Sequence, residues 1–346
     1  MESPKQSQEK DHGYYFYDEY KIYENKSGDC SFDNILACQY IQNRTFLYIM
    51  AGRFGFGSEM NQLLIGFAYS VATKRRFLID SRHWNYGRFE DYFQLIRSKF
   101  ILDEWKNHTL KFLEEYDTEN DHVPHLKTTR EGAQVVKFWR AGGNIDRIRV
   151  KQKETPIMSI TIKRKVAHYL WRYMTRETYE TIKSSISNAG MLDYFNSNKL
   201  FYACHIRKGD KLRKEASDIP LNRYIQAIER LAKNQGMNIT NFSVFVAGDN
   251  HELVHNLKEL KPQWTFLSFH YQNSTKLGHF QDKFNRLSSA KKLVETRLFL
   301  AELVMVTRAY GLICTMSSNV CRLIHILRYQ AENTVVSLDR RWYATR

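Results

Sequence analysis

At 346 residues the chain is about twice the length of a typical single domain, which favours two domains or one large α/β unit. Hydrophobic residues at 43% and aromatic residues at 14% exclude a disordered or low-complexity chain, and the negative mean hydropathy excludes a polytopic membrane protein. Against 37 Asp+Glu stand 52 Lys+Arg, a net charge of +15 that fits a polyanionic partner, an anionic membrane surface or a phosphate-bearing substrate and does not choose among them.

The first thirty residues alternate charge with tyrosine, carry no period and read as an extension. Met1 to Gly13 is polar and charged, and no apolar run reaches the roughly eighteen residues of a membrane span. The expectation is a cytosolic protein, or one whose anchor lies upstream of this sequence. Six N-x-S/T sequons, at Asn25, Asn43, Asn107, Asn238, Asn241 and Asn273, mildly favour a secretory route. Cys30, Cys38, Cys204, Cys314 and Cys321 give an odd count without C-x-x-C spacing, against a zinc site or thioredoxin-like chemistry.

Phe46 to Met50 has the length of a buried strand and runs into a glycine loop, Gly52-Arg-Phe-Gly-Phe-Gly57. Met60, Leu63, Leu64, Phe67, Ala68 and Val71 then fall on one helical face, and Phe77 to Ile79 reads as the next strand. Residues 100 to 200 are charge-rich and mostly helical in character, with a polar surface loop from Glu115 to Arg130. From Leu200 the alternation is regular. Strands are expected at 200–204, 243–247, 265–269, 312–315 and 335–338, and helices at 221–234, 251–260, 293–308 and 319–329. Strands alternating with helices specify a parallel sheet whose ligands bind beyond the carboxyl ends of the strands.

Two clusters occupy such positions. His205-Ile-Arg207-Lys208-Gly-Asp210-Lys211-Leu-Arg-Lys-Glu215 gathers cations and carboxylates after the strand that ends at Cys204. Arg207 is suited to grip phosphate oxygens in a fork, Lys211 adds a point charge, and Glu215 is a candidate base. Thr315-Met-Ser317-Ser318-Asn319 opens a helix, where hydroxyls and unpaired N–H groups make an anion site, although one serine alone is as well explained as an ordinary cap. Glu302, inside the apolar run Leu298 to Val306, either faces solvent or is buried with a partner. No D-x-D, H-E-x-x-H or P-loop pattern occurs, leaving a metal-free phosphate-handling α/β protein.

Taken in order, these clusters resemble the α-1,6-fucosyltransferases of glycosyltransferase family 23. His205-Ile-Arg-Lys-Gly-Asp-Lys-x3-Glu215 resembles the family's H-V-R-R-T-D-K-x3-E, and Leu312 to Arg322 resembles its L-V-C-T-F-S-S-Q-V-C-R. Gly55-Phe-Gly57 through Trp84-Asn-Tyr86 resembles its G-Y-G…N-W-R-Y segment, and Ser337-Leu-Asp339 its S-L-D. The resemblance implies a GT-B-like α/β fold: a 1–30 extension, an acceptor-side α/β domain over 31–200 and a Rossmann-like donor domain over 201–346. It implies inverting transfer of fucose from GDP-fucose to O6 of a GlcNAc-containing glycan, foremost the core GlcNAc of N-glycans, in the Golgi lumen and without metal or cofactor. Chitin-oligosaccharide acceptors are the alternative within the class.

The resemblance also implies roles for individual residues. Arg207 would hold the β-phosphate, assisted by Ser318, Asn319 and the backbone near Gly57, with His205 and Tyr86 lining the nucleotide pocket. Glu302 would accept from the guanine N–H donors. Glu215 would be the base, tuned by Lys211, with Asp210 and Asp249 on the acceptor side, and Cys314 would pair with Cys321. Lys208, Asn319, Asn250 and Glu302 depart from the family's arginine, glutamine, acid and aspartate. No SH3-like segment or long N-terminal coiled coil is visible in the sequence, which implies another mode of acceptor recognition. A basic nucleic-acid- or glycosaminoglycan-binding protein without catalysis would explain the charge and not the ordered motifs.

Overall fold

The structure, a computed structural model, describes residues 28–41, 45–50, 54–94, 135–139, 159–208, 218–250, 252–269, 279–328, 331–340 and 342. A short helix α1 (Ile35–Gln39), capped by the Asn34 side chain, precedes strand β1 (Thr45–Ile49). Helix α2 (Phe56–Ala72) then leads to strand β2 (Arg76–Asp80). A third strand, β3 (Val135–Trp139), completes a parallel sheet in the order β2-β1-β3, with Thr45 opposite Arg76 on one side and Val135 on the other.

Helix α2 is buried almost all round because it is packed on several sides. Phe67 stacks on Phe77 of β2 with ring centroids 4.5 Å apart. At Gly66 a Cβ would come within 2.8 Å of the Tyr48 ring, so the absent side chain lets the helix approach β1. The sequence reading made residues 100 to 200 mostly helical. Helices α3 (Ile160–Arg172), α4 (Arg176–Asn188) and α5 (Leu192–Phe195) bear this out for the later part, with Ser159 and Thr175 capping the first two. Strand β3 corrects it: Val135-Val-Lys-Phe-Trp139 is rich in β-branched and aromatic residues, and the pairing offered by β1 outweighs the helical character of its surroundings. The polar stretch 115–130 lies outside the described residues.

The C-terminal half starts with β4 (Tyr202–Ile206), α6 (Leu221–Asn234), β5 (Ser243–Gly248), α7 (Leu253–Leu260) and β6 (Thr265–Leu267). Helices α8 (Gln281–Asn285) and α9 (Ser289–Arg308) lead to β7 (Gly311–Cys314), α10 (Asn319–Leu327), α11 (Ala331–Thr334) and β8 (Val335–Ser337). The strands form one parallel sheet in the order β6-β5-β4-β7-β8. Successive residues serve opposite faces: Tyr202, Cys204 and Ile206 join α6 and α7 in one apolar cluster, while Ala203 faces a second cluster with α9 and α10. Burial on both faces is why these strands read as continuous apolar runs.

That second cluster is continuous with the N-terminal sheet and its helices, so α9 and α10 lie between the two sheets. Arg164 and His168 of α3 close the carboxyl end of α10: Arg164 Nε donates to Ile326 O at 3.2 Å, and His168 Nε2 meets Leu327 O at 2.9 Å. Burial pushes the His168 pKa down, against the pull of that carbonyl, which favours the neutral ring as donor. Cys314 is disulfide-bonded to Cys321 as expected, with Cα atoms 6.2 Å apart, and Cys30 pairs with Cys38. Burial pushes the remaining thiol, Cys204, up to about 12, which makes it inert. None of the described helices is long and apolar enough to cross a membrane.

Candidate active site

The chain leaves β4 and crosses to β5 on one side, and β7 pairs with the other side of β4. The loops after β4 and β7 therefore part company at a topological switch point, where the carboxyl ends of parallel strands leave a crevice. Arg207 follows β4 directly, and Thr315 to Ser318 follow β7. Arg207 and the Thr315–Ser318 turn, one from each cluster singled out from the sequence, thus flank one crevice.

On the β4 side the backbone is tied down by Asp249, the residue after β5. Its Oδ1 accepts the Lys208 N–H at 2.8 Å and its Oδ2 accepts the His279 N–H at 3.1 Å. Arg207 Nε lies 3.8 Å from the same carboxylate, an ion pair too long for a hydrogen bond. Asp249, expected on the acceptor side, is thereby joined to the residues that follow β4. The Lys208 ammonium pairs with Asp218, a single point charge where the family's arginine would offer a second fork.

On the β7 side, Ser318 is the N-cap of α10 and is 2% exposed. Its hydroxyl has no hydrogen-bond partner among the described residues and makes no capping bond. Asn319 is held by Arg322, whose Nη1 donates to its Oδ1 at 3.1 Å, and by Asn61, whose Nδ2 donates to its backbone carbonyl at 2.8 Å. No hydrogen bond from the amide nitrogen or the backbone N–H of Asn319 is made among the described residues.

The glycine turn reaches this place from the other sheet. A Cβ on Gly57 would stand 2.7 Å from Val320 N and 2.8 Å from Asn319 C, so only glycine lets the first turns of α2 and α10 meet. The two helix N-termini converge beside Ser318: the first turn of α10 has N–H groups without intrahelical acceptors and a dipole that favours an anion, while α2 packs against it with its Phe56 N–H held by Tyr86 and its Ser58 and Glu59 N–H groups by Gly55 O. Tyr86 organises the turn. Its hydroxyl accepts the Phe56 N–H at 2.7 Å and donates to Gln281 Oε1 at 3.0 Å, and its ring packs on Phe284 at 4.8 Å. Burial drives the Tyr86 pKa up, with a lowering from Arg207 and a raising from Glu59, which places these three groups in one neighbourhood.

His205 is buried on β4 and Glu302 is buried on α9, 6% exposed, which resolves the choice between a surface and a buried acid. Asp210, Lys211 and Glu215 lie outside the described residues. The sequence reading missed the bridge between the halves, in which Asn85 Nδ2 donates to Asn285 Oδ1 at 3.0 Å and Gln281 Nε2 to the same oxygen at 3.0 Å. It also missed Glu59, fully buried in the first turn of α2; a lone acid among Phe56, Met60 and Leu63 was the available signal. No group of three or more His, Cys, Asp or Glu side chains suited to a metal ion exists among the described residues.

No curated protein sequence matches. Among solved structures the chain is similar to NodZ from Bradyrhizobium (12% identity, TM-score 0.47, 85% of this chain and 96% of that one) and to NodZ α-1,6-fucosyltransferase soaked with GDP-fucose (14%, 0.43, 84% and 97%). It is also similar to POFUT1 in complex with GDP, at 15% identity and TM-score 0.50, over 86% of this chain and 99% of that one. Together with the two parallel sheets, that last likeness gives the fold class as GT-B-like α/β with a Rossmann-like C-terminal sheet. The sequence model of the α-(1,6)-fucosyltransferase N- and catalytic domains matches residues 150–343, more than half of the chain and the whole crevice-forming sheet, and the chain is accordingly a member of that fucosyltransferase family.

Proposed function

We propose that the protein transfers fucose from GDP-fucose to O6 of a GlcNAc residue with inversion at the anomeric carbon, and that the core GlcNAc of N-glycans is its acceptor. The observation that carries this reading is the buried Ser318 hydroxyl, without a partner among the described residues, where two helix N-termini converge near Arg207. Arg207 and that N–H set receive the diphosphate, and Glu302 accepts from guanine. Residues 201–346 serve the donor and 31–200 the acceptor.

In the reaction, O6 of the acceptor forms a bond to the fucose anomeric carbon as the bond from that carbon to the phosphate oxygen breaks. Glu215 takes the O6 proton, assisted by Lys211, with Asp210 on the acceptor side. GDP leaves with the bonding electron pair. Negative charge grows on the departing phosphate, so donors fixed at that place stabilise the transition state more than the ground state. The step requires no metal. The Golgi lumen, with its supply of nucleotide sugars and glycoproteins, is the compartment this chemistry suits.

The test is incubation with GDP-fucose and a panel of N-glycans, chitin oligosaccharides and peptides, read by mass, with and without chelator. Addition of one deoxyhexose to the core GlcNAc, unaffected by chelator, is expected. Transfer only to chitin oligosaccharides would move the acceptor assignment, and no transfer at all, with no stabilisation by GDP, would overturn the reading.

A further inference from the structure

We propose that Asp339 is the positioning residue of the phosphate turn: its carboxylate holds the Met316–Ser317 backbone in the arrangement that presents Ser318 and the first turn of α10 to a diphosphate. The proposal rests on the GDP-fucose reading above. Its geometric origin is strand register. Parallel pairing sets Ser337 opposite Cys314, and the Leu338 N–H donates to Cys314 O at 2.9 Å, so the chain leaving β8 runs beside the turn leaving β7.

Asp339 then meets that turn with both oxygens. Oδ1 accepts the Met316 N–H at 2.8 Å, and Oδ2 accepts the Ser317 N–H at 3.1 Å. The Ser337 hydroxyl donates to Oδ1 at 2.8 Å and also accepts the Met316 N–H at 3.1 Å, while the Arg340 N–H donates to Oδ1 at 2.7 Å. From the opposite side Arg322 Nε donates to the Met316 carbonyl at 2.8 Å and Nη1 to Asn319 Oδ1. The turn is pegged through its N–H groups by an acid and through its carbonyl by a base. Asp339 is itself exposed, so these hydrogen bonds, not burial, fix it.

Successive N–H groups in a turn form a concavity that attracts anions. Met316 and Ser317 would offer such a concavity one step away from Ser318. With Asp339 filling it, a phosphate is directed to the next donors, the Ser318 hydroxyl and the first-turn N–H groups of α10. The turn is also ordered before the donor arrives, so binding need not supply that entropy. The carboxylate's charge works against a diphosphate, and the two effects predict opposite results when the charge is removed.

The experiment is calorimetric titration of the full chain and of Asp339→Asn with GDP and with guanosine, which lacks the diphosphate. Asparagine keeps size but offers one carbonyl oxygen in place of two, so one of the two turn N–H groups loses its acceptor. GDP affinity is expected to fall at least about tenfold, which is about 1.4 kcal/mol, with guanosine affinity unchanged and the KM for GDP-fucose raised more than kcat is lowered. Unchanged or tighter GDP binding, or equal losses for GDP and guanosine, would overturn the proposal, since a merely structural role moves both ligands alike. Should Asp339→Asn fail to fold, Ser337→Ala decides by the same comparison, with a smaller loss confined to GDP. Wild-type protein that binds GDP no better than guanosine would overturn the GDP-fucose reading itself, and this proposal with it.

Discussion

The two parallel sheets bring their carboxyl ends to one crevice and prepare them by different physics. The C-terminal sheet orders its loops with charged side chains that bond backbone: Asp249 on Lys208 and His279, Asp339 on Met316 and Ser317, Arg322 on Met316. The N-terminal sheet orders its turn by close contact, with Gly57 against the backbone of Asn319 and Val320, and Phe56 set among Trp84, Tyr86 and Phe299. Charge-assisted bonds hold a loop in place while leaving it open to water and ligand, and apolar packing excludes both. The donor's phosphates need the first kind of wall, and the seam between the halves needs the second.

The largest effect is expected at Glu215, the base of the proposed reaction. Glu215→Gln should lower transfer by at least about a hundredfold, within the range for losing a positioned base, while GDP binding is unchanged. Near-wild-type transfer would give the role to another acid.

Next come the proposed donor contacts. Arg207→Lys should raise the KM for GDP-fucose and lower kcat together, by about ten- to a hundredfold overall, because an ammonium cannot reproduce a two-pronged grip. Glu302→Ala should weaken GDP several-fold to about a hundredfold, with Glu302→Asp largely retaining it. Direct binding measurements on both, with ADP as control, would show whether guanine selectivity resides in Glu302 alone. GDP binding equal to wild type in Glu302→Ala would remove that residue from the site.

At the packed wall, Gly57→Ala inserts a methyl group where backbone atoms stand 2.7 to 2.9 Å away. Forcing the seam apart should cost about 1–3 kcal/mol, as overpacking does, seen as a lower melting temperature together with weaker GDP binding. A fully stable variant with normal GDP affinity would mean that the halves tolerate separation and that close contact is not what orders the turn.

The smallest effect concerns acid. Burial alone would raise the Asp80 pKa, but the Arg82 guanidinium, bonded to both carboxylate oxygens, holds it below the usual 3.8. A carboxylate depressed in the fold contributes stability above its unfolded pKa and loses it as pH falls through the folded value. Melting temperature should therefore fall more steeply below about pH 4 in wild type than in Asp80→Asn. At neutral pH the variant should be a few degrees less stable. Identical acid profiles would show that the pair contributes nothing net.

Much of the fold and part of the site were legible because they depend on neighbours in sequence. Apolar runs of strand length separated by helical stripes mark β4 through β8, and α6 begins and ends at the residues expected from its single apolar face. Arg207 and Ser318 stood out because each follows a strand, and strand ends are local features. Strand β3 was not legible, since what makes Val135–Trp139 a strand is the free edge of β1, some ninety residues earlier. The S-L-D likeness marked Asp339 without saying what it touches: its contacts depend on β8 pairing in register with β7. Asp249 turned toward Lys208, and Gly57 pressed on Val320, for the same reason. Periodicity records which face of an element is apolar, whereas register, strand order and the approach of two helix ends are settled only when distant segments compete for the same hydrogen bonds and the same buried volume.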